Sequence, residues 1–417
     1  MIAACAQLDA KTMDEAAAVW PGVERTAARA AEAGADLIVF PEVTYPAYWL
    51  ESADRYRRDD IERTEAVLSR FSELAARHAC WLVAGYVEEE GDRLHNSAAV
   101  FDRGGRFAGR ARKQFMWDCD RKWFAPGEAS TVLDTEFGRM GLLICADARM
   151  PEITATLACK GARFIVQPTA WVNTSLDAAV RRNIQPEFLI RARAIEFGLP
   201  WVCSSKSGRE DRRLEYVGLS RIVSAAGESL AEAPRDGDAL VTGEVVPAEP
   251  RPVEVPANLV PRLLSPEPPR RNPSGPRTCE LRPSASAGEM ATGLEAAHVR
   301  AASVTTNALR SFAVARCHAL DGVQVLIAEG PPVDAALVRA RAAENCLWLI
   351  VAGEATRCVV DPRGAVVWRA GDEIDSLELD VALADAKAFL PTTDIWSQRR
   401  VATYHLGSPV DAHASEP

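Results

Sequence analysis

One stretch of the sequence, Gly141-Leu-Leu-Ile-Cys145-Ala-Asp147-Ala-Arg149-Met-Pro151-Glu152, indicates both a fold and a chemistry. Apolar residues bring Cys145 to the end of a predicted buried strand, and a Pro-Glu pair follows where a helix can begin. A cysteine on such a turn can act as a nucleophile, because the turn exposes the sulfur beside free backbone N–H groups. A buried structural cysteine is the alternative, since free cysteine is among the most buried residue types.

Two other charged residues follow predicted strands in the same way. The strand that starts at Asp36 ends in Glu42, and Lys113 comes after a strand and a glycine turn. Taken alone, Glu42 is an ordinary surface glutamate and Lys113 is a solvated lysine. Taken with Cys145, they place a carboxylate, an ammonium and a thiol at the carboxyl ends of strands, where α/β folds bind ligands.

The first 250 residues alternate short apolar runs with stretches of helical period. This alternation predicts a layered α/β domain. We predict helices at 20–33, 59–78, 153–160 and 187–197. Strands are predicted at 2–7, 36–40, 81–86, 97–101, 140–145, 163–167, 201–204, 220–223 and 240–246.

The composition excludes several classes of protein. The chain has 417 residues and a net charge of −10, which argues against nonspecific binding to nucleic acid or to an anionic membrane. No apolar run reaches the roughly 18 residues that a membrane-spanning helix needs. The N-terminus lacks the positive region of a signal peptide, so we expect a cytoplasmic protein.

The cysteines and histidines give no sign of a disulfide framework or a metal centre. The ten cysteines form no Cys-x-x-Cys pair, which predicts reduced thiols in a cytoplasm. The six histidines show no metal-ligand spacing, so we expect no metal site. His78 and His95 are weak candidates for a Cys–His pair, because neither has a partner pattern.

The composition changes after residue 247. Residues 248–287 are rich in proline and form a linker or an extended arm on the surface. The block at 288–417 then echoes the back half of the first domain. Three pairs of segments match in the same order, which favours duplication: 161–166 with 322–327, 191–202 with 339–350, and 222–228 with 359–365. Ser303–Asn307 would take the place of the Cys145 turn, so we expect the second block to lack catalytic residues.

The ordered set Glu42, Lys113 and Cys145 resembles the nitrilase, or carbon–nitrogen hydrolase, superfamily. The resemblance covers roughly residues 1–247, and Asp394–Tyr404 is similar to the end of a complete family domain. It implies a four-layer α-β-β-α sandwich, here followed by a smaller degenerate α/β block. The matching motifs are Phe40-Pro-Glu42, Asn96-Ser-Ala-Ala-Val-Phe-Asp102, the Cys145 stretch, and Gly161-Ala-Arg-Phe-Ile-Val-Gln-Pro-Thr-Ala-Trp171.

The resemblance also implies a mechanism. Cys145 attacks the carbon of an amide, ureido group or nitrile, and Glu42 takes the thiol proton, passes it to ammonia and then activates water. Lys113 lowers the pKa of the thiol and stabilises the oxyanion, with the N–H of Ala146 as a second donor. The products are an acid and ammonia, and the resemblance implies that no cofactor takes part.

One position departs from the family pattern. A second glutamate usually follows the lysine, in the context Glu-x-x-x-Phe-x-x-Gly, but here Asp120 takes that place. A carboxylate shorter by one methylene seats the substrate differently, reduces activity, or is replaced by Asp118. The alternative is that Asp120 only pairs with Arg121 or Lys122.

The sequence leaves the substrate open. The Cys145-x-Asp-x-Arg-x-Pro-Glu context resembles amidases and carbamoylases, whereas the loop Glu42–Trp49 is similar to nitrilase pocket loops. Arg149 could bind a substrate carboxylate, or could pair with Asp147 or Glu152. The other pocket candidates, each equally suited to core packing, are Tyr45, Tyr48, Trp117, Trp171 and Asn173.

The leading prediction is a cysteine-dependent hydrolase of small linear amides or N-carbamoyl groups. A nitrilase is the close alternative, and a catalytically silent scaffold or binding protein is the second. The block at 288–417 is predicted to act as an intramolecular pseudo-dimer partner, and a homo-oligomer is also compatible with the sequence.

Overall fold

A computed structural model describes residues 1–175, 177, 180–270, 275–353, 356–385, 388–390 and 393–406. These residues divide into two compact units, Met1–Pro252 and Val253–Leu406. Among the described residues, no helix is both long and apolar enough to cross a membrane. Residues 407–417, which belong to the predicted second block, and 271–274, which belong to the predicted linker, lie outside the described residues.

The first unit alternates strands and helices as the sequence predicts. Its α-helices are α1 (Trp20–Glu32), α2 (Ala53–Arg58), α3 (Thr64–His78), α4 (Pro151–Cys159) and α5 (Ile190–Phe197), with short 3₁₀ segments at Met13–Val19, Asp118–Lys122 and Cys145–Arg149 and a π-turn at Gln185–Leu189. Its strands are β1 (Ile2–Asp9), β2 (Leu37–Val39), β3 (Trp81–Glu90), β4 (Arg93–Phe101), β5 (Phe107–Arg112), β6 (Thr131–Thr135), β7 (Gly138–Leu142), β8 (Phe164–Pro168), β9 (Trp201–Ser204), β10 (Lys206–Ser207), β11 (Arg209–Glu210), β12 (Leu214–Glu215), β13 (Arg221–Val223), β14 (Ser229–Glu232) and β15 (Ala239–Glu244).

Two mixed sheets contain most of these strands. The first has the order β10-β1-β2-β3-β4-β5, with β15 also paired to β1, and the second has the order β14-β13-β9-β8-β7-β6. Strands β1, β2 and β3 run parallel, as do β7, β8 and β9. The parallel strands therefore end at a common edge of each sheet, and this edge carries the polar loops of the site.

The layers follow from which elements pack together. Helices α1 and α3 contact the first sheet, α4 and α5 contact the second, and the two sheets contact each other through β1, β2, β3, β8 and β9. Small side chains make this possible in β1, where Ala4 and Ala6 belong to the cluster beneath α1 and α3, and Ala3 and Cys5 are also fully buried. The first unit is thus an α-β-β-α sandwich, as expected, because its central strands are buried on both faces.

Two helices lie in this region, where the sequence predicts one at 59–78: the first, α2, precedes the predicted range, and the second, α3, occupies its residues 64–78. Ser52 caps the first by accepting a hydrogen bond from the N–H of Arg55, so α2 begins earlier than the hydrophobic period indicates. Asp59 then has extended backbone angles and ends α2, and α3 begins five residues later. The capping serine, which the periodicity does not register, accounts for the difference.

The second unit has a smaller α/β arrangement. A five-stranded sheet has the order β17-β18-β19-β20-β21, and β16 pairs with β22 in a separate two-stranded sheet. The helices are α6 (Val260–Leu263), α7 (Ala287–Ala296), α8 (Phe312–Leu320), α9 (Ala335–Asn345) and α10 (Ala382–Asp385), with 3₁₀ segments at Thr306–Arg310 and Val401–Thr403. The strands are β16 (Thr278–Leu281), β17 (Ala301–Thr305), β18 (Val325–Glu329), β19 (Trp348–Val351), β20 (Cys358–Val360), β21 (Val366–Arg369), β22 (Leu377–Asp380), β23 (Ala388–Leu390) and β24 (Thr393–Asp394).

The segment predicted as a linker, 248–287, has some regular structure. It contains α6 and β16, and β16 pairs along its whole length with Leu377–Asp380. The sequence does not predict this strand, because four residues are too few to show a periodicity and the segment around them is rich in proline.

The sheet of the second unit has the same sequence of strand directions as part of the first. In both, three parallel strands are followed by two antiparallel ones, with an irregular register near Val223 in one and Val360 in the other. The Thr306–Arg310 turn follows β17 as the Cys145–Arg149 turn follows β7. Duplication stays a prediction of the sequence, and this agreement supports it.

A buried arginine braces the corresponding turn in each unit. Arg193 on α5 donates from Nε to the Ala148 carbonyl oxygen (3.0 Å) and lies 3.2 Å from the Glu196 carboxylate. Arg341 on α9 repeats both contacts. Each guanidinium is fully buried, so its hydrogen bonds to the turn are part of what stabilises the unit.

We expect Arg193→Met to lower the free energy of unfolding by about 3–5 kcal/mol, because it strands a buried carboxylate and the turn's carbonyl oxygens. Urea unfolding followed by tryptophan fluorescence measures the change. Arg191→Met is the matched control, since Arg191 lies on the same helix with its side chain exposed. Equal effects of the two substitutions would contradict the bracing role.

Candidate active site

Glu42 lies just beyond β2, in a loop that rests on the neighbouring strand. Gly85 of β3 donates its N–H to the Pro41 carbonyl oxygen (3.1 Å) and accepts a hydrogen bond from the N–H of Thr44 (2.8 Å). A Cβ atom at position 85 would come within 2.6 Å of the Glu42 Cα, so only glycine allows this close approach. The backbone that carries Glu42 is therefore fixed against β3.

Lys113 follows directly after β5, and its fully buried side chain points at two carboxylates. Its ammonium lies 2.7 Å from Glu42 Oε1 and 2.6 Å from Asp120 Oδ2. Asn96 also donates to Glu42 Oε1, at 2.7 Å. Buried charges persist only when they are paired and hydrogen-bonded, and these short contacts meet that condition.

Asp120 completes this ion-pair cluster from the 3₁₀ turn at Asp118–Lys122. One of its oxygens accepts the N–H of Trp117 (2.8 Å) besides contacting Lys113, and the other accepts the hydroxyl of Tyr48 (2.8 Å). Asp120 thus faces Lys113, and the predicted alternative of pairing with its own neighbours in sequence is not what the structure shows. Tyr48 provides the hydrogen bond that holds the short carboxylate in place.

Cys145 begins the turn that links β7 to α4. Its φ angle is +45°, a region that side chains other than glycine rarely adopt. Asp147 stabilises this turn by accepting the N–H of Ile144 (3.0 Å). The same carboxylate accepts the N–H groups of Gln114 (3.0 Å) and Phe115 (2.7 Å), which ties the nucleophile turn to the segment after Lys113.

Two buried glutamines support the cysteine from behind. Gln167 on β8 donates to the Cys145 carbonyl oxygen (2.8 Å) and to Oε1 of Gln185 (3.0 Å). The amide nitrogen of Gln185 lies 3.9 Å from the Cys145 sulfur, and the Ala170 carbonyl oxygen lies at the same distance on the acceptor side. These contacts hold the strained turn and leave the sulfur with weak partners.

The thiol of Cys145 is neutral at rest. Burial, followed by the negative charge of Glu42, raises its pKa to about 12, although Lys113 acts in the opposite direction. The sequence predicts that Lys113 lowers the thiol pKa, and this prediction covers only one of the opposing effects. A neutral thiol needs a base at the moment of attack.

Glu42 is placed to be that base. Burial, opposed by Lys113 and reinforced by Asp120, raises the pKa of Glu42 above the ordinary glutamate value. Its second oxygen, Oε2, has no hydrogen-bond partner among the described residues. Burial lowers the pKa of Lys113, but the charges of Asp120, Glu42 and Cys145 outweigh it and hold that pKa well above its usual value. The cluster therefore combines a permanent cation with a carboxylate of increased proton affinity.

The structure assigns distinct surroundings to the predicted substrate-binding residues. Tyr48 is fully buried, with its hydroxyl on Asp120 and the Lys113 ammonium 5.5 Å from its ring centre, so it supports the cluster. Trp117 is buried and contacts Asp120 through its backbone. Tyr45 stacks on Trp20 in the helix-side core, which makes it a packing residue.

Four more candidates lie in the turn and the loop beyond it. Arg149 is the buried last residue of the Cys145 turn, and Ala146 is buried directly after the cysteine. Trp171 is fully buried, with its backbone N–H on Ser205 Oγ (3.2 Å). The amide nitrogen of Asn173 donates to Glu215 and its oxygen accepts two loop N–H groups, so the side chain shapes the loop, and its contact with substrate stays a prediction.

The histidines do not enter this arrangement. His78 is the last residue of α3, and a ring nitrogen of buried His95 lies 2.9 Å from the Ala125 carbonyl oxygen. In the described part of the chain, no group of three or more His, Cys, Asp or Glu side chains is arranged to hold a metal ion.

Sequence reasoning missed the residues that hold the trio in place. Asn96, Asp147, Gln167 and Gln185 are each at most 2% exposed, and each bonds to Glu42, to the Cys145 turn or to one another. The available signal was a polar residue within an apolar run, as at Gln167 in Phe-Ile-Val-Gln-Pro. Such a residue is buried with a partner, but the sequence does not name the partner.

Comparison with known proteins agrees with this geometry. Residues 2–253 match the family model of carbon-nitrogen hydrolases. A nitrilase of Pyrococcus abyssi is 30% identical over 224 residues, which cover 53% of this chain and 81% of that protein. An omega-amidase of Homo sapiens is 30% identical over 217 residues, covering 49% and 74% respectively.

A solved structure shows the same likeness. The amidase from Nesterenkonia sp. AN1, with acrylamide added to its active-site cysteine, has a TM-score of 0.52 and 25% sequence identity, and the match covers 58% of this chain and 92% of that one. The chain belongs to the carbon–nitrogen hydrolase family of the nitrilase superfamily. It is accordingly a hydrolase, and the matched residues coincide with the first unit.

We expect Glu42→Gln to separate thiol ionisation from catalysis. Removing the carboxylate charge lowers the pKa of Cys145 from about 12, so alkylation by iodoacetamide has its midpoint at lower pH. Amide hydrolysis, which needs the base, falls by about 10²–10⁴-fold. Rates of alkylation between pH 7 and 12 provide the measurement.

Glu88→Gln is the control for this experiment. Glu88 is a buried carboxylate bonded to Arg112 and Ser97, away from the trio. If the pH midpoint of alkylation in Glu42→Gln equals or exceeds that of the wild type, Glu42 does not raise the pKa of the thiol.

We expect Tyr48→Phe to lower kcat by about 10- to 100-fold, the usual cost of a lost hydrogen bond to a buried charge. The variant leaves Oδ1 of Asp120 without its hydrogen-bond donor. The Asp120 carboxylate, which pairs with Lys113, is then held less firmly in position. Tyr45→Phe removes a hydroxyl from the same loop that bonds to Glu62 instead, and serves as the control. The measurement is the steady-state kcat of each variant on an amide that the wild type hydrolyses. Equal kcat values for Tyr48→Phe and Tyr45→Phe would refute the role of Tyr48.

Proposed function

We propose that this chain is a cysteine-dependent amidase, which cleaves a linear amide or an N-carbamoyl group and releases ammonia. One observation carries the proposal. A buried ammonium joins two carboxylates beside a neutral thiol, and the unpartnered oxygen of Glu42 belongs to this cluster. The amidase and omega-amidase relatives support the same class of substrate.

In the first step, Glu42 takes the proton of the Cys145 thiol as the sulfur attacks the carbonyl carbon. The carbonyl oxygen becomes an oxyanion, which Lys113 and the N–H of Ala146 stabilise. Collapse breaks the C–N bond, Glu42 returns the proton to the departing nitrogen, and ammonia leaves. A thioester on Cys145 remains.

In the second step, water replaces ammonia. Glu42 removes a proton from the water, whose oxygen attacks the thioester carbon. The S–C bond breaks, the proton returns to the sulfur, and an acid is released. With an N-carbamoyl substrate the acid is a carbamic acid, which loses carbon dioxide to give an amine.

The charge arrangement suits this cycle. The thiol is protonated before attack, so the resting site holds no free thiolate that would have to be stabilised without substrate. Lys113 stays charged throughout, because Asp120 balances it when Glu42 accepts a proton. The substrate brings the electrophile, and the chemistry needs no other reactant than water.

The test uses the full chain and measures ammonia. Butyramide, N-carbamoyl-β-alanine and butyronitrile represent the amide, ureide and nitrile classes, and intact mass spectrometry detects an acyl group on Cys145. We expect ammonia from the amide or the ureide, and loss of turnover by at least about 10³-fold in Cys145→Ser. Cys80→Ser replaces a buried cysteine between α3 and β3 and is the control.

Two outcomes would overturn the proposal. Ammonia from the nitrile alone would make the protein a nitrilase. No ammonia from any compound, together with no adduct on Cys145, would make it a binding protein or scaffold. The partner role predicted for the second block is independent of both outcomes and stays a prediction.

A further inference from the structure

A buried amide faces the sulfur of Cys145, and the proposed catalytic cycle does not use it. Gln185 is 2% exposed, and its Nε2 lies 3.9 Å from the Cys145 Sγ in the position of a donor. This distance suits a neutral thiol, because the sulfur of a thiol is a weak acceptor. Catalytic hydrogen bonds are often long before the substrate binds and shorten as the reaction proceeds, so a long contact at rest is compatible with a catalytic one.

The backbone of Gln185 is fixed on both sides. Its N–H donates to Oδ1 of Asn183 (2.9 Å), and the amide nitrogen of Asn183 donates to the Val172 carbonyl oxygen (2.8 Å). The Gln185 carbonyl oxygen accepts the N–H of Ile190, which closes the π-turn Gln185–Leu189. Single π-turns beside α-helices frequently lie at functional sites. The helix α5 is thus preceded by a glutamine whose position is set by hydrogen bonds.

The hydrogen bonds of Gln167 decide which end of the Gln185 amide meets the sulfur. The Cys145 carbonyl oxygen can only accept, so Gln167 presents its Nε2 to it (2.8 Å). Cys203 donates its S–H to the other end of Gln167, Oε1, at 3.3 Å. Burial raises the pKa of Cys203 well above its usual value, so this thiol keeps the proton that it donates.

The same polarity passes on to Gln185. Nε2 of Gln167 also donates to Oε1 of Gln185 (3.0 Å), which turns the NH₂ group of Gln185 toward the sulfur. An amide turned the other way would set two NH₂ groups against each other and place an oxygen against the sulfur of Cys145. The network therefore offers Cys145 a donor, and a donor favours the thiolate over the thiol.

The proton of the Cys145 thiol has a separate acceptor. The Ala170 carbonyl oxygen lies 3.9 Å from the sulfur, on the acceptor side. When Glu42 removes the proton, that contact loses its hydrogen, whereas the N–H of Gln185 gains a charged acceptor. Hydrogen bonds to charged groups are about twice as strong as those between neutral groups. Gln185 thus interacts more strongly with the thiolate than with the resting thiol, which is the condition for accelerating the reaction.

We propose that Gln185 is a catalytic residue, whose amide N–H stabilises the negative charge that develops on the Cys145 sulfur. This proposal rests on the amidase function proposed above. The charge develops twice in the cycle, first when Glu42 removes the thiol proton during attack, and again when the sulfur leaves the thioester. Because the amide is neutral, it acts without disturbing the charge balance between Lys113 and its two carboxylates.

The test measures alkylation of Cys145 by iodoacetamide at pH 10, where the thiol, with its pKa of about 12, is mostly protonated and the rate follows the fraction of thiolate. Gln185→Met keeps the length of the side chain and removes the donor, so we expect alkylation to slow by about 10- to 100-fold. The value of kcat/KM for an amide that the wild type hydrolyses should fall by a similar factor. Peptide mass spectrometry locates the adduct, and ammonia release gives the turnover.

Two further variants distinguish this role from a structural one. Gln185→Glu keeps an oxygen that accepts from Gln167, but at pH 10 it brings a negative charge to the sulfur in place of a donor, so we expect slower alkylation than in Gln185→Met. Gln7→Met is the matched control. It removes another fully buried amide, one that bonds to the Pro234 and Gly237 carbonyl oxygens, and should leave the alkylation rate as in the wild type.

The outcomes separate this proposal from the one on which it rests. Equal alkylation rates in the wild type and Gln185→Met, a wild-type rate in Gln185→Glu, or an equal loss in Gln7→Met would each refute the role of Gln185 and leave the amidase function intact. Slower alkylation in both Gln185 variants, with no ammonia from any compound of the panel, would refute the amidase function and retain Gln185 as a group that stabilises the thiolate.

Discussion

The buried ammonium of Lys113 is the contact on which the site depends. It neutralises two carboxylates that could not share a dry cavity otherwise, since each isolated charge would cost several kcal/mol to bury. Because Lys113 is paired on both sides, Glu42 can gain and lose a proton while the cluster keeps one stable partner in Asp120. The fold serves this contact by bringing the loops after β2 and β5 and the turn after β7 to one edge.

The sequence predicts a good part of this arrangement. Glu42 and Cys145 follow strands that the sequence predicts, and the carboxyl ends of strands are where α/β folds bind ligands. Lys113 follows β5, a strand that the sequence does not predict. The layered fold follows from the alternation of apolar runs with helical stretches. What sequence reasoning does not reach is the set of supporting contacts, because these join residues far apart in the chain. Tyr48 and Asp120 are 72 positions apart, and the sequence around each residue does not predict that they form a hydrogen bond.

Two other features of the site also depend on the packed structure and cannot be read from the sequence. The thiol pKa rises because burial outweighs the nearby lysine, and burial is a property of the packed structure that a list of charged residues does not contain. Asn173 accepts two N–H groups of its own loop, as short polar side chains in loops usually do, and the sequence does not show which backbone groups these are. In the second unit the supporting contact is present without the nucleophile. Arg341 bonds to the turn at Thr306–Arg310, but Thr306 takes the position that Cys145 has in the first unit.

The neutral state of the Cys145 thiol has a consequence for the durability of the enzyme. Peroxides oxidise thiolates far faster than thiols, and exposed, ionised cysteines are the ones that form sulfenic acid. Cys145 is 6% exposed, and burial raises the pKa of its thiol to about 12, so both conditions for rapid oxidation are weakened. The same burial that opposes ionisation of Cys145 thus also protects its sulfur from oxidants.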